Sequence, residues 1–183
     1  ANQSQLNEVI AELLSQLAAQ ANKQSSRYSA QTADTILSFG EQFSSFLFTE
    51  VLRSLAISAE CFDIRQVMKT NSLHGKAVVN IEQLSQQAKT LLQSKLTDDV
   101  IVTQGFIGQD ELGNTTTLGR GGSDYSAALL AEALNAEKLA IWTDVVGIFT
   151  TDPRITSQAR PIDEISFGEA AEMATFGAKI LHP

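Results

Sequence analysis

Cysteine is nearly absent from this chain. Cys61 stands alone among 183 residues, so no internal disulfide can form. No Cys/His cluster has the spacing of a metal site, so none is expected, and Cys61 reads as a small apolar packing residue. Positive charge is also scarce: 13 Lys and Arg stand against 21 Asp and Glu, a net charge of -8. That balance excludes a broad nucleic-acid or anionic-membrane surface, and leaves anion binding to individually placed Arg, Lys or backbone N–H groups. No apolar run reaches membrane-spanning length, and the polar start lacks a signal-peptide pattern, so a reducing, cytoplasmic compartment is the expectation. An initiator Met is missing and the chain stops at "GAKILHP" directly after a helical pattern. Both ends therefore read as cut from something longer.

The residues that are present suit a folded domain. A hydrophobic fraction of 43% over this length supports a sizeable core. "QLNEVIAELLSQLAAQANKQ" places Leu6, Ile10, Leu13 and Leu17 three and four apart, the spacing of an amphipathic helix. A second helical pattern runs from about Ala33 to Leu55, with Gly40 and Glu41 inside it. Gly40 weakens a helix interior, so it is either tolerated or marks a close approach to the backbone. "SAECFDI" reads as a short strand and "NIEQLSQQAKTLLQSKL" as a helix. Val100–Thr103 reads as a buried strand ending in a glycine-rich turn. A helix is expected from Ser126 to Leu134, an apolar strand at "KLAIWTD", and a last helix ending near Gly177. Alternating helices and continuous apolar strands point to an α/β protein with a mainly parallel sheet, in one domain. Ligands in such sheets bind beyond the carboxyl ends of the strands, here Gln104–Gly108 and Thr143–Val146.

The first of these ends leads into "TTTLGRGGSDYSAALLAEAL", Thr115–Leu134. Gly119, Gly121 and Gly122 free the backbone for positive φ and close ligand approach. Ser123 or Asp124 can cap the following helix, whose N-terminal N–H groups attract anions. No Lys-Ser/Thr pair follows the glycines, so this is not a Walker A loop, and no G-x-G-x-x-G is present. A tight loop with Asp124 as a plain cap remains the alternative. Arg120 offers a fork that fits a carboxylate bidentately, roughly 1.5–3 kcal/mol when well formed. Its alternative is an exposed surface arginine.

The second strand end is "WTDVVGIFTTDPR", with Thr143 and Asp144 at the terminus, Phe149 following, an Asp152–Pro153 turn and Arg154 beyond. Such a set can hold a nucleoside, or it is a polar turn with a core phenylalanine; Trp142 reads as core. In "FGAKILHP", Lys179 lies just past the helix end, where it serves a phosphate or the helix dipole. His74 in "NSLHGK" reads as solvated. No nucleophile–base pair stands out. An arginine for a carboxylate, a lysine for phosphate and an acid between them suit phosphoryl transfer, which relies on positioning and charge neutralisation.

"VIVTQGFIG", "TTTLGRGGSDYSAALLAEAL", "IWTDVVGIFTTDPR" and "FGEAAEMATFGAKILHP" together resemble the aspartate kinases, and among them the lysine-sensitive type. "SFGEQFSSFLF" resembles that family's Gly-Glu helix motif. The resemblance runs in order from about Thr32 to Pro183. It implies a three-layer α/β/α sandwich of the amino-acid-kinase type with a mainly parallel sheet, lacking its first strands. It also implies ATP-dependent phosphorylation of the β-carboxylate of L-aspartate, the opening step of lysine, threonine and methionine biosynthesis. Carried onto this chain, Glu41 would receive the substrate amino group and Arg120 its α-carboxylate, with Phe106 and Ser123 lining the pocket. Asp124 would hold catalytic lysines. Thr143, Asp144, Phe149 and Arg154 would contact ATP, Lys179 would meet its phosphates, and Mg²⁺ would arrive with the nucleotide. A homodimer is implied as well.

Three departures accompany the resemblance. Phe149 stands where the family usually has tyrosine. Nothing matches the family's opening Lys-Phe-Gly-Gly-Thr-Ser strand, nor its C-terminal ACT domains. Residues 1–183 are therefore expected to be part of a catalytic domain, inactive by itself for want of that strand's lysine and phosphate loop. The alternatives are a non-catalytic nucleotide- or amino-acid-binding module and a kinase for another amino acid.

Overall fold

The computed structural model describes residues 3–23, 29–143 and 147–176. It divides into two compact units, 1–137 and 138–183.

The first unit opens with helix α1 (Gln3–Lys23) and helix α2 (Ala30–Ser54). Ser29 fixes the start of α2: its extended backbone and side-chain oxygen take the Thr32 N–H at 3.2 Å. Strand β1 (Ala59–Phe62) follows, then a 3₁₀ turn over Ile64–Gln66. Helix α3 (Ile81–Leu91) is capped by Asn80, which accepts from Gln83 N–H at 3.1 Å. Strand β2 (Val100–Thr103) then pairs in parallel with β1, Ala59 opposite Val100 and Phe62 opposite Thr103. A parallel pair requires a long crossover, and the chain from Asp63 to Asp99, carrying α3, supplies it.

Strands β3 (Ile107–Gln109) and β4 (Thr115–Thr117) form an antiparallel hairpin that was not expected. Gly108 is required where the hairpin meets the preceding segment. A Cβ there would fall 2.7 Å from the Met68 carbonyl oxygen. Helix α4 (Gly122–Ala133) completes the unit. Helix α2 packs on β1, β2 and β4, while α3 packs on α4. Phe62, Ile64, Val67, Met68, Leu84, Ala88, Ile107, Leu118 and Leu129 make the core.

Several expectations need correction. Helix α4 begins at Gly122, four residues before the expected Ser126, because Gly121 turns the chain with φ +76°. Strand β2 is half-buried, with Val100 exposed, since among the described residues β1 is its one paired neighbour. His74 is not solvated: its side chain is 14% exposed and bonds Asp34. Cys61 is half-buried beside polar partners, its sulfur 3.9 Å from Ser45 Oγ and from Gln104 Nε2. Gly40 is simply tolerated, with nothing within 4 Å of a Cβ placed there.

In the second unit, residues 138–143 form no strand. A strand exists only through a hydrogen-bonded neighbour, and no described residue pairs with this segment. With no sheet face to bury it, Trp142 is 95% exposed and not core. Phe149 is half-buried and bridges Pro161. Helix α5 (Phe167–Thr175) starts on a capping box between Ser166 and Glu169. The expected helix end near Gly177 lies outside the described residues.

Candidate active site

Glu41 sits in the middle of α2, half-buried. Around it the helix face toward the strands is polar: Asp34, Ser38, Ser45 and Thr49 are all buried. The three hydroxyls are satisfied within the helix, as buried polar groups must be. Ser38 Oγ donates to Thr35 O at 2.7 Å, Ser45 Oγ to Glu41 O at 2.8 Å and Thr49 Oγ1 to Ser45 O at 2.8 Å.

From Glu41 a chain of hydrogen bonds leads to the glycine loop. Ser45 Oγ accepts from Gln104 Nε2 at 2.8 Å, and Gln104 Oε1 accepts the Ile64 N–H at 3.0 Å. Gln104 is buried at the carboxyl end of β2. Two residues on, Phe106 takes a left-handed backbone, φ +68°. Its N–H donates to Ser126 Oγ at 3.1 Å, and Ser126 Oγ donates to Ser123 O at 2.8 Å. Phe106 O accepts the Leu118 N–H at 2.9 Å. Packing there is tight: a Cβ on Gly105 would lie 3.1 Å from Ser123, and one on Gly122 would lie 2.9 Å from the Leu118 side chain and 3.1 Å from the Phe106 ring. Glu41, Phe106 and the start of α4 are thus tied into one region.

The loop between β4 and α4 carries Arg120, exposed, between Gly119 (φ +82°) and Gly121. Ser123 and Asp124 lie in the first turn of α4, not at its cap. The cap is Gly121, which offers no side-chain bond. Among the described residues, the backbone N–H groups of Ser123 and Asp124 find no acceptor. The helix N-terminus therefore remains open toward an anion. The side chains of Glu41, Arg120 and Asp124 likewise form no bond or ion pair with described residues. A carboxylate on α2, a guanidinium on the loop and open N–H groups on α4 match a zwitterionic amino acid.

Supporting charges are committed elsewhere. Asp63 chelates Arg65, with Oδ2 2.7 Å from one guanidinium nitrogen, and Arg65 also reaches Thr115 Oγ1 at 3.0 Å. Burial pushes the Asp63 carboxyl up, but Arg65's hydrogen bond and charge outweigh it, and the net shift is downward. A groove of about 560 Å³ between α1, α2 and Arg65 lies apart from this set and is lined by none of the candidate residues.

Of the second strand-end set, Thr143 is exposed and Phe149 is half-buried. Arg154 is held by Asp152, with nitrogen to oxygen distances of 2.7–3.2 Å, and this hydrogen bond and its charge raise the guanidinium pKa. A phosphate reaching Arg154 must share it with that carboxylate. Asp144 and Lys179 lie outside the described residues. Among the described residues no three His, Cys, Asp or Glu side chains are grouped to hold a metal ion. Sequence reading passed over Asp34, Gln104 and Ser126. Gln104 alone carries a visible signal, a polar side chain soon after the apolar run Val100–Val102, whereas Asp34 and Ser126 have polar neighbours in the chain.

The chain is 51% identical to the lysine-sensitive aspartokinase 3 of Escherichia coli over 178 residues, 97% of this chain and 40% of that protein. It is 42% identical to an aspartokinase of Geobacillus stearothermophilus, over 85% of this chain and 37% of that protein. It thus spans about two fifths of the length of these relatives. Among solved structures, E. coli aspartokinase III in complex with aspartate and ADP matches with a TM-score of 0.93, again at 51% identity, covering 97% of this chain and 40% of that one. The model of the amino acid kinase family matches residues 3–183, and the chain belongs to that family.

Proposed function

We propose that the protein carrying this chain is an aspartate kinase, transferring the γ-phosphoryl group of ATP to the β-carboxylate of L-aspartate. The observation that carries this reading is the joining of the Glu41 backbone, Phe106 and the open start of α4 at Ser123 through Ser45, Gln104 and Ser126, with Arg120 on the loop that leads into α4. Its support is the 51% identity to a protein whose solved complex holds aspartate and ADP.

On this reading Glu41 takes the substrate ammonium and Arg120 its α-carboxylate, while Phe106 and Ser123 wall the pocket. The β-carboxylate oxygen then attacks the γ-phosphorus. One P–O bond forms as the bond to the β–γ bridging oxygen breaks, and ADP leaves. Asp124 organises the lysine ammonium groups that face the phosphates, Lys179 among them. Thr143, Asp144, Phe149 and Arg154 bind the nucleotide. Mg²⁺, arriving with the nucleotide, would supply charge neutralisation at the phosphates. The protein's contribution is alignment and fixed charge. Both compact units belong to one catalytic domain, a reading supported by a single family model that runs across them. A cytoplasmic homodimer is part of the same reading. No described helix is long and apolar enough to cross a membrane.

Trapping with hydroxylamine tests the reaction, because an aspartyl phosphate is converted to a hydroxamate. Titration tests the assignment of Arg120. Arg120→Ala weakens L-aspartate binding at least tenfold while leaving ATP nearly unchanged, as loss of a charged hydrogen-bond pair requires. Equal weakening of both ligands overturns it.

A further inference from the structure

The most deeply buried carboxylate in the first unit is not one of the candidate site residues. Asp34 is 1% exposed and lies on α2, seven residues before Glu41. Positions i and i+7 share one helix face, so both carboxylates point to the same side of α2. Three groups donate to Asp34. Thr117 Oγ1 reaches Oδ1 at 2.5 Å, His74 Nδ1 reaches Oδ2 at 2.9 Å, and the Gly75 N–H straddles both oxygens at 3.1 and 3.0 Å. An ionised carboxylate only accepts, so His74 carries its proton on Nδ1.

All three donors bear on the Arg120 loop. Thr117 is the last residue of β4, three before Arg120. Its carbonyl accepts the Ala77 N–H at 2.9 Å, which fixes the His74–Gly75 turn to the same strand end. Gly119 rests on that turn: with φ +82°, a Cβ there would lie 3.0 Å from Gly75 O. On the far side, Leu118 N–H is held by Phe106 O. The Asp34 carboxylate therefore joins the helix that carries Glu41 to the strand end and turn on which the Arg120 loop sits.

We propose that Asp34, through Thr117, His74 and Gly75, is a positioning residue. It sets the separation between Glu41 and Arg120, and hence the demand that one ligand present an ammonium and an α-carboxylate together. The proposal rests on the roles given to Glu41 and Arg120 above. A ligand that satisfies both groups gains more than the sum of its halves only while their spacing is fixed. Loosening that spacing should remove the bonus before it removes either single contact. Burial of Asp34 makes its bonds costly to break, because each donor would otherwise lose its partner in a dry site.

The test compares the protein carrying this chain with its Asp34→Asn variant. Titration with L-aspartate is set beside succinate, which lacks the ammonium, and β-alanine, which lacks the α-carboxylate. The variant should lose roughly tenfold in L-aspartate affinity and much less for the two half-ligands. An equal loss for all three overturns the spacing role. Amide hydrogen exchange gives a readout independent of ligand. In the variant, Leu118, Ala77 and Gly122 should exchange at least tenfold faster while Leu84 and Leu92 keep their rates. Unchanged exchange at the loop overturns the proposal even if aspartate binds. If the unsubstituted protein carrying this chain binds no aspartate, the kinase reading fails, and exchange alone then judges whether Asp34 fastens the loop. Should Asp34→Asn not fold, Thr117→Val removes one donor, and His74→Leu removes another that His74→Asn should restore. If exchange at Leu118 and Gly122 is unmoved by Thr117→Val and His74→Leu alike, the proposal is wrong.

Discussion

The tetrapeptide Ser-Phe-Gly-Glu occurs twice, at residues 38–41 and 166–169, and folds in two ways. In the first copy it lies inside α2. Ser38 is fully buried and accepts from Gln42 Nε2 at 3.0 Å, and Phe39 is 5% exposed. In the second copy it starts α5. Ser166 Oγ takes the Glu169 N–H at 3.3 Å, and Glu169 Oε2 accepts from Ser166 N–H and Oγ at 3.0 and 2.7 Å. Phe167 is 98% exposed. What differs is upstream. Helix α2 is already running when it reaches Ser38, whereas Ser166 is extended, with ψ 156°. A Ser-x-x-Glu pattern acts as a helix start only where no earlier turn has taken its N–H groups. Freed from capping, Glu41 is available for a ligand, while Glu169 is consumed by its own backbone.

The contrast can be broken most visibly at the phenylalanines. Phe39→Ala should cost about 3 kcal/mol in urea unfolding of the first unit, while Phe167→Ala should stay within about 0.5 kcal/mol. Comparable losses at both sites would mean that Phe167 is packed after all. The serines separate less widely. Ser166→Ala should remove about 1 kcal/mol of α5 helix stability and fray its first turn in amide exchange. Ser38→Ala should cost less, because Ala is the better residue inside a helix and offsets the lost bonds. The smallest effect concerns pH. Hydrogen bonds from the Ser166 side chain and backbone hold the Glu169 carboxyl below the usual glutamate range. A lowered folded pKa contributes stability that is complete above the unfolded value, about 4.3, and is lost as pH falls through the folded one. The Ser166 and Glu169 amide resonances should therefore shift at lower pH than those of an uncapped glutamate. A midpoint at or above the ordinary value contradicts the cap.

Much of the scaffold was legible because its signals are local. The spacing of Leu6, Ile10, Leu13 and Leu17 marked α1, and the β-branched run Val100–Thr103 marked β2. Local signals failed where a partner decides the outcome. "KLAIWTD" has strand composition, but its described residues 138–143 have no described neighbour, so they form no strand and leave Trp142 in solvent. Thr115–Thr117 carries no apolar pattern, yet becomes the buried strand β4 because β3 and α2 cover it. The candidate site divides in the same way. Arg120, Ser123 and Asp124 were singled out by the chemistry of the glycine loop, and Glu41 by motif resemblance. Asp34, Gln104 and Ser126 escaped notice because each acts across some 20 to 83 residues of chain.

The sequence alone determined the helices with their apolar periodicity, the glycines that permit the left-handed turns at 119 and 121, and the family to which the motifs belong. These depend on residues close together in the chain. Tertiary structure alone decided which neighbours would cover Thr115–Thr117, and where the buried carboxylate of Asp34 would find its donors. Hydrogen bonds between distant segments have no counterpart in local spacing. They form only once the packing that removes water has brought donor and acceptor to the same place.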